Sequence, residues 1–267
     1  MKHNEFDNEE KYKLYRQVNE LLHPTISKKN ISNYRIIIAE ELLPLRVFYP
    51  LKVSNMKNIV IYIHGEEKVT GCEKKYSNIS SNFSKKYNNL VISIDYDNYT
   101  NLSLKELHIK IYNTLKKIYK DLLKTGILKE NITLIGDSTA ATMILSLTKK
   151  MYKDSIIFGK YILFYPPVSG NYSKLKNSLN LEFFSNLKEY YRGIRKSSFP
   201  INDKLIYPKT LILCGKVDPL LEEIKEFSNV HEEIKLKEIT FADHGFLGSN
   251  DKEINNEYTM AISKFMK

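Results

Sequence analysis

The 267-residue sequence contains only two cysteines, no tryptophan and no apolar run near the roughly 18 residues that a membrane span requires. Cys72 and Cys214 cannot build the disulfide framework of a small secreted domain. Cys214 lies inside the apolar run LILCG and is expected to be a core thiol. The first twenty residues lack the apolar centre of a secretory leader. We therefore expect a soluble protein of the reducing cytoplasm.

Arginine is also scarce, although the chain is basic. The net charge is +10, and only five of the 41 basic residues are arginines, which leaves 36 lysines. A basic chain raises the question of a polyanionic partner, but planar recognition of phosphate and guanine favours arginine. The lysines alternate with Glu and Asn along the whole chain, which indicates a solvated surface rather than a nucleic-acid-binding face.

The sequence does contain a regular alternation of strand and helix patterns from residue 57 onward. Strands are predicted at 59–63, 90–94, 132–135, 161–165, 210–214 and near 234–241, after two earlier strands at 34–39 and 45–49. The continuous apolar run at 59–63 is typical of a strand that is buried on both faces. Ser103 and Glu106 predict a capping box at the start of one intervening helix. The fold class expected is α/β, with a mainly parallel twisted sheet of about eight strands and helices on both faces.

Two segments depart from this alternation. An N-terminal helix is predicted within residues 1–30, with its apolar face formed by Leu14, Val18 and Leu21. The aromatic and basic stretch 168–207 is predicted to be an irregular, partly helical insertion. Together the two segments would form a small cap over the ends of the strands.

Polar residues follow three of the predicted strands. Ligands of parallel α/β sheets bind at the carboxyl ends of the strands, so functional side chains are expected there. Ser138 follows the strand at 132–135, Asp218 follows the strand at 210–214, and His244 follows the strand near 234–241. A serine, a carboxylate and a histidine are therefore expected at one edge of the sheet.

These three side chains have complementary chemistry. A serine hydroxyl is a weak nucleophile until a base accepts its proton, and histidine can accept and return a proton near neutral pH. An aspartate can fix the tautomer of that histidine and stabilise its charged form. Two alternatives stay open. Ser138 and Asp218 could each have the structural role of capping the helix that follows. Glu222 or Asp243 could be the acid instead of Asp218.

The remaining candidate ligands favour structural roles. His64 is expected to orient its loop, and Asp137 to be structural. The histidines at positions 3, 23, 108 and 231 have no partners at metal-ligand spacing. We expect neither a metal ion nor an organic cofactor.

Five short motifs carry a resemblance to a known family. They are YIHG at 62–65, SIDY at 93–96, GDSTA at 136–140, GKVDPL at 215–220 and HGF at 244–246. With these motifs the sequence resembles the α/β-hydrolase family, and specifically its esterase branch related to hormone-sensitive lipase. The resemblance implies one domain over residues 1–267, with Ser138 as nucleophile, His244 as base and Asp218 as acid.

The resemblance also implies an oxyanion hole formed by backbone N–H groups of Gly65, Glu66 and Thr139. Members of the branch have two further glycines after His-Gly, and here Glu66 and Glu67 occupy those positions. Ala140 stands where the serine motif usually has its second glycine. Carboxylates near a developing oxyanion would oppose it, so a protein that has lost activity and serves in binding is one alternative.

The implied reaction is the hydrolysis of small esters through an acyl-enzyme. A small aromatic cap suits a short acyl group, and the residues expected to line the substrate site are Tyr165, Phe183, Phe184 and Tyr190. An amidase, deacetylase or peptidase with the same three residues is a second alternative, because the fold does not separate these activities. The partner expected is a small-molecule ester, without nucleic acid or a membrane span.

Overall fold

The computed structural model describes residues 25–31, 34–38, 42–50, 58–65, 72–96, 102–169 and 204–267. The chain forms two compact units. The first comprises Met1–Ile63, Val69–Leu134 and Ser155–Gly159, and the second comprises His64–Lys68, Ile135–Asp154 and Lys160–Lys267.

Nine strands and five α-helices are formed by the described residues. The strands are β1 (Thr25–Ile31), β2 (Tyr34–Ile38), β3 (Leu45–Phe48), β4 (Ile59–Ile63), β5 (Leu90–Ile94), β6 (Ile132–Asp137), β7 (Lys160–Phe164), β8 (Lys209–Gly215) and β9 (Ile234–Ile239). The helices are α1 (Cys72–Tyr87), α2 (Leu104–Lys124), α3 (Thr139–Lys153), α4 (Leu221–Asn229) and α5 (Lys252–Met266). The predicted α/β class is confirmed.

The first unit combines antiparallel and parallel pairing. Its strands follow the order β1-β2-β3-β5-β4. β3 runs antiparallel to β5, whereas β4 and β5 are parallel, with Ile61 opposite Ile92. Every residue of β4 and β5 is buried, which confirms for β4 the burial on both faces that its continuous apolar run predicts.

Helix α2 begins where the sequence predicts. The Ser103 hydroxyl accepts a hydrogen bond from the Glu106 N–H at 3.3 Å, and the Glu106 carboxylate accepts one from the Ser103 N–H at 2.8 Å. Gly126, with φ of +85°, follows the helix in the left-handed conformation that glycine adopts without steric cost. The apolar face of α2 is buried at Leu107, Ile111, Leu115, Ile118 and Leu122.

The second unit contains three parallel strands in the order β7-β8-β9. Strand β8 is central, and all its residues after Lys209 are buried. In β9 only Ile234 and Ile239 are buried, as befits a strand at the edge of a sheet. Because the strands are parallel, their carboxyl ends open on the same side, and the backbone N–H of Ser138 donates to the carbonyl of Phe164 at the end of β7.

The predicted N-terminal helix cannot extend to residue 30. Residues Thr25–Ile31 form β1, in which Ile26 pairs with Ile37 of β2. The β-branched Thr25, Ile26 and Ile31 favour an extended chain, and pairing with β2 satisfies its backbone. Residues 1–24 lie outside the described part of the chain, as do residues 170–203 of the predicted insertion.

Two strand ends differ from the sequence expectation. β7 ends at Phe164 because Tyr165 turns the chain with a φ of +39°. β9 ends at Ile239, and the exposed Phe241 has a φ of +57°. Among the described residues, no helix combines the length and apolarity needed to cross a membrane.

Candidate active site

Ser138 occupies a sharp turn between β6 and α3. Its φ of 49° and ψ of −121° lie outside the regions that residues with a side chain normally adopt, so the surrounding packing must hold this conformation. Although Ser138 stands at the N-terminus of α3, its side chain makes no capping hydrogen bond to the helix. The alternative that Ser138 serves as a helix cap therefore finds no support.

Close packing at this turn explains its small residues. A Cβ on Gly136 would lie 2.6 Å from Cδ1 of Ile144 and 3.0 Å from the Ala141 nitrogen. Ala140 and Ala141 are completely buried, so the packing around the turn has room for a methyl group at each of these positions. The absence of the second glycine from the serine motif is thereby accommodated.

The side chains of Ser138, His244 and Asp218 form a hydrogen-bonded series. The Ser138 hydroxyl oxygen lies 3.1 Å from Nε2 of His244. On the opposite side of the ring, Nδ1 lies 2.9 Å from Oδ2 of Asp218. The side chain of Asp218 is fully buried and that of His244 nearly so. Such a series can draw a proton from a hydroxyl and stabilise the imidazolium that results.

The two carboxylate oxygens of Asp218 have different partners. While Oδ2 faces His244, Oδ1 accepts a hydrogen bond from the Leu220 N–H at 2.9 Å. This second bond fixes the carboxylate at the turn before α4. The other candidate acids do not take this place. Glu222 is exposed and paired with Lys225, and Asp243 accepts a hydrogen bond from the backbone N–H of His244.

Aromatic rings hold the loop that carries His244. The ring centroid of Tyr165 lies 4.5 Å from that of His244. Phe246, two residues after the histidine, packs against Phe164, Tyr165 and Tyr258 at centroid separations of 6.0, 5.1 and 5.9 Å. Tyr165, predicted to line the substrate site, is only 2% exposed and so faces the histidine.

Gly65 lies against the serine turn. A Cβ on Gly65 would approach the Asp137 carbonyl oxygen to 2.9 Å and Cβ of Ser138 to 3.2 Å, so glycine is required by this close approach. Its N–H donates to Oδ1 of Asp137 at 3.0 Å, and its carbonyl oxygen lies 2.9 Å from Nδ1 of the buried His64. Asp137 and His64 therefore order the backbone here, as expected.

This geometry bears on the predicted oxyanion donors. Because the Gly65 N–H already binds Asp137, it is not directed at the Ser138 hydroxyl. Thr139 is the first residue of α3 and directly follows Ser138 in the chain. Glu66 and Glu67, like the predicted substrate-site residues Phe183, Phe184 and Tyr190, lie outside the described part of the chain.

Comparison with known proteins identifies the family. A family model described as alpha/beta hydrolase fold matches residues 60–247. The chain belongs to the α/β-hydrolase fold family. The membership that its motifs predict is thereby confirmed. No curated protein matches the sequence significantly.

Several solved structures similar to this hydrolase are described as esterases. An arylesterase is 20% identical, with a TM-score of 0.72, covering 94% of this chain and 90% of its own. A hyperthermophilic esterase from Pyrobaculum calidifontis is 15% identical, with a TM-score of 0.72, covering 98% and 92%. The thermostable carboxylesterase EstE1, from a metagenomic library, is 16% identical, with a TM-score of 0.67, covering 98% and 96%. At these identities the likeness shows the shared fold.

Glu223 is a residue of the hydrolase that the motifs did not single out. It lies five residues after Asp218 and is partly buried, and this burial raises the pKa of its carboxyl group, opposed by hydrogen bonds from Ser169 and Val168. One sequence signal could have pointed to Glu223, namely its place as the second of two acids shortly after Asp218-Pro219. The signal is weak, because a solvent-exposed face of α4 would also carry acidic residues.

Besides the serine, the described residues include a cysteine thiol on β8 and side chains of the kinds that bind metal ions. Cys214 is completely buried on β8, and burial raises the pKa of its thiol, so the nucleophilic thiolate is disfavoured. Within the described ranges, no group of three or more His, Cys, Asp or Glu side chains is placed to hold a metal ion.

Proposed function

We propose that this α/β hydrolase is a serine hydrolase that cleaves small carboxylic esters with short acyl groups. In this proposal Ser138 is the nucleophile, His244 the general base and acid, and Asp218 the residue that orients and stabilises His244. The observation that carries the proposal is the hydrogen-bonded series from the Ser138 hydroxyl through both ring nitrogens of His244 to the buried Asp218 carboxylate.

The reaction follows from this arrangement. The Ser138 oxygen attacks the ester carbonyl carbon as its proton passes to Nε2 of His244, forming a tetrahedral oxyanion. The oxyanion collapses, the carbon–oxygen bond to the alcohol breaks, and His244 returns the proton to the departing oxygen. A water molecule then gives a proton to His244 and attacks the acyl-enzyme, which releases the acid and restores the Ser138 hydroxyl.

The oxyanion is assigned to the backbone N–H groups of Thr139 and Glu66. The position of Thr139, directly after the nucleophile and at the start of α3, supports its part. Gly65 is assigned the placing of the loop, because its own N–H serves Asp137. This refines the expectation that Gly65, Glu66 and Thr139 all act as donors.

The preference for short acyl groups rests on the sequence of the insertion. Its length, about forty residues within a chain of 267, leaves little material for a long acyl channel. The side chains proposed to form the walls of the site are Phe183, Phe184 and Tyr190, with Tyr165 behind His244. Several structures of the same fold are described as esterases, which supports an ester as the first substrate class to test.

A fluorophosphonate probe tests the nucleophile directly. It should modify Ser138 of the native protein, as located by mass spectrometry of the labelled peptide. Ser138→Ala should abolish labelling, whereas Ser146→Ala, a matched change two turns along the same helix, should leave it intact. Folded wild-type protein that resists the probe would exclude the serine hydrolase and favour a binding protein with an obstructed oxyanion hole, the alternative that Glu66 and Glu67 suggest.

A substrate panel tests the specificity. p-Nitrophenyl esters from acetate to palmitate should be cleaved with kcat/KM falling as the acyl chain lengthens, and p-nitroacetanilide should react far more slowly than p-nitrophenyl acetate. Preference for palmitate would overturn the short-acyl proposal. Faster turnover of the anilide would instead identify an amidase that uses the same three residues.

A further inference from the structure

The five residues Tyr165–Ser169, which we call the β7 exit segment, contact three parts of the site. They leave the carboxyl end of β7 through two consecutive prolines, Pro166 and Pro167, whose rings fix the backbone and limit its freedom. All five belong to the described part of the chain and to the second compact unit.

The first contact is with the histidine itself. The ring of Tyr165 packs against the imidazole of His244, with 4.5 Å between the ring centroids. Tyr165 is held in place by its backbone N–H, which donates to the carbonyl of Leu213 on β8 at 2.8 Å. Its left-handed φ of +39° turns the side chain away from the strand, at a cost that this packing must offset.

The second contact is with the helix that follows the serine. The hydroxyl of Thr142, buried in the first turn of α3, donates to the carbonyl of Pro167 at 2.7 Å. The backbone N–H of Thr142 donates to the carbonyl of Ser138 at 3.2 Å, which ties the same residue to the nucleophile turn. Thr142 thus links the middle of the exit segment to Ser138.

The third contact is with the helix that follows the aspartate. Oε1 of Glu223, in the first turn of α4, accepts hydrogen bonds from the N–H groups of Val168 at 2.8 Å and Ser169 at 3.4 Å. Its Oε2 accepts a hydrogen bond from the Ser169 hydroxyl. One partly buried carboxyl group therefore accepts from three donors at the end of the exit segment.

We propose that Glu223 and Thr142 are positioning residues, which fasten the β7 exit segment to the helices behind Asp218 and Ser138 and so hold the Tyr165 ring against His244. This inference rests on the proposed function, since it holds that these two residues maintain the geometry that the reaction of Ser138 requires. Neither residue touches the substrate; both act through the exit segment.

The alternative role for these contacts is packing that stabilises the fold without influencing the reaction. Their arrangement argues against it. Glu223 and Thr142 each lie in the first turn of a helix that begins within three residues of Asp218 or directly after Ser138. The exit segment joins these two turns, and its first residue lies on the imidazole. A shift of the segment would therefore move His244 relative to both of its hydrogen-bonding partners.

The test compares variants of equal size in the full chain. Glu223→Met removes all three acceptor contacts, and Glu223→Gln keeps the Oε1 acceptor. Glu222→Met is the matched control at the neighbouring exposed position. Thr142→Val removes the hydrogen bond to the Pro167 carbonyl, and Thr142→Ser keeps the hydroxyl that donates it. Each variant is examined by kcat and KM on p-nitrophenyl acetate, by thermal unfolding, and by the downfield proton resonance of His244 Nδ1, which reports its bond to Asp218.

The expected result is a loss in kcat rather than in binding. Glu223→Met and Thr142→Val should each lower kcat by about tenfold with little change in KM, because small misplacements of reacting groups have effects of this size or larger. The Nδ1 proton resonance should shift or broaden in both. Glu223→Gln and Thr142→Ser should recover most of kcat, and Glu222→Met should match the wild type.

Two outcomes separate this inference from the proposed function. If Glu223→Met and Thr142→Val are folded, and both kcat and the Nδ1 resonance remain as in the wild type, the contacts are packing alone and the inference is wrong. If the wild type neither reacts with fluorophosphonate nor hydrolyses esters, the proposed function fails. The inference is then judged by the resonance: a change in the two variants supports it, and an unchanged signal overturns it.

Discussion

Nδ1 of His244 lies 2.9 Å from Oδ2 of Asp218, whose side chain is fully buried. The other carboxylate oxygen of Asp218 accepts a hydrogen bond from the Leu220 N–H. One oxygen therefore serves the proposed chemistry and the other serves the turn, which allows the two functions to be separated by substitution.

Replacing Asp218 with Asn should impair the reaction much more than the fold. The Asn side chain can keep its carbonyl oxygen on the Leu220 N–H, but then presents an NH₂ group to Nδ1 of His244 and favours the wrong tautomer. The expected loss in kcat is roughly 10³- to 10⁴-fold. Ester hydrolysis and thermal unfolding of the same preparation check this. Glu222→Gln, an exposed acid on the same segment, should leave kcat unchanged, and a matching loss there would contradict the assignment.

Replacing Phe246 with Ala should loosen the histidine loop. Phe246 is 5% exposed and packs against three aromatic rings, so truncation should lower the free energy of unfolding by about 3 to 5 kcal/mol. Phe241, five residues earlier, is 79% exposed, and Phe241→Ala should change the free energy of unfolding by less than about 0.5 kcal/mol. Urea unfolding of both variants makes the comparison. Equal effects would show that the aromatic cluster does not hold the loop.

Replacing Gly215 with Ala tests the close approach of β8 to the chain after β9. The added Cβ would lie 2.0 Å from the Ala242 carbonyl oxygen, a backbone atom that cannot move aside cheaply. We expect a loss of about 3 kcal/mol or more in unfolding free energy. At Gly126 nothing lies within 4 Å of the added Cβ, and only the φ of +85° is unfavourable, so Gly126→Ala should cost about 1 to 2 kcal/mol.

If Gly126→Ala proved the more damaging of these two variants, backbone conformation rather than space would be the dominant constraint. Thermal unfolding of both proteins at one pH decides the order.

His108, on α2, should make the fold less stable in acid. Burial lowers its pKa from the ordinary value near 6.5 to about 4. Between these two pH values the unfolded chain binds a proton at His108 and the folded chain does not, so stability falls as the pH decreases from 6.5 towards 4. Because the side chain is only partly buried, we expect a contribution of roughly 2 kcal/mol.

The measurement is urea unfolding of wild type and His108→Gln at pH 7.5 and 4.5. Carboxylates titrate in both proteins, so the difference between them isolates the histidine. The loss of unfolding free energy on acidification should be smaller in His108→Gln by roughly 2 kcal/mol. An identical loss in both proteins would contradict the assignment.

Local patterns were sufficient to predict most of the fold. The continuous apolar run of β4 predicted a strand buried on both faces, and Ser103 with Glu106 predicted the start of α2. The extent of the N-terminal helix was wrong, because Thr25–Ile31 gains its backbone hydrogen bonds from β2. Such pairing between separate segments leaves no mark in helical periodicity.

The sequence by itself determined which side chains stand at the ends of the strands, because strand and helix periods are properties of neighbouring residues. It favoured Asp218 as the partner of His244 and left Glu222 and Asp243 as alternatives, since all three follow strands or begin helices. The tertiary structure places Oδ2 of Asp218 at 2.9 Å from Nδ1 of His244, at a turn in which Oδ1 binds the Leu220 N–H. It also turned Tyr165 onto His244 and brought Glu223 to Ser169, contacts that depend on backbone angles and on segments 54 or more residues apart.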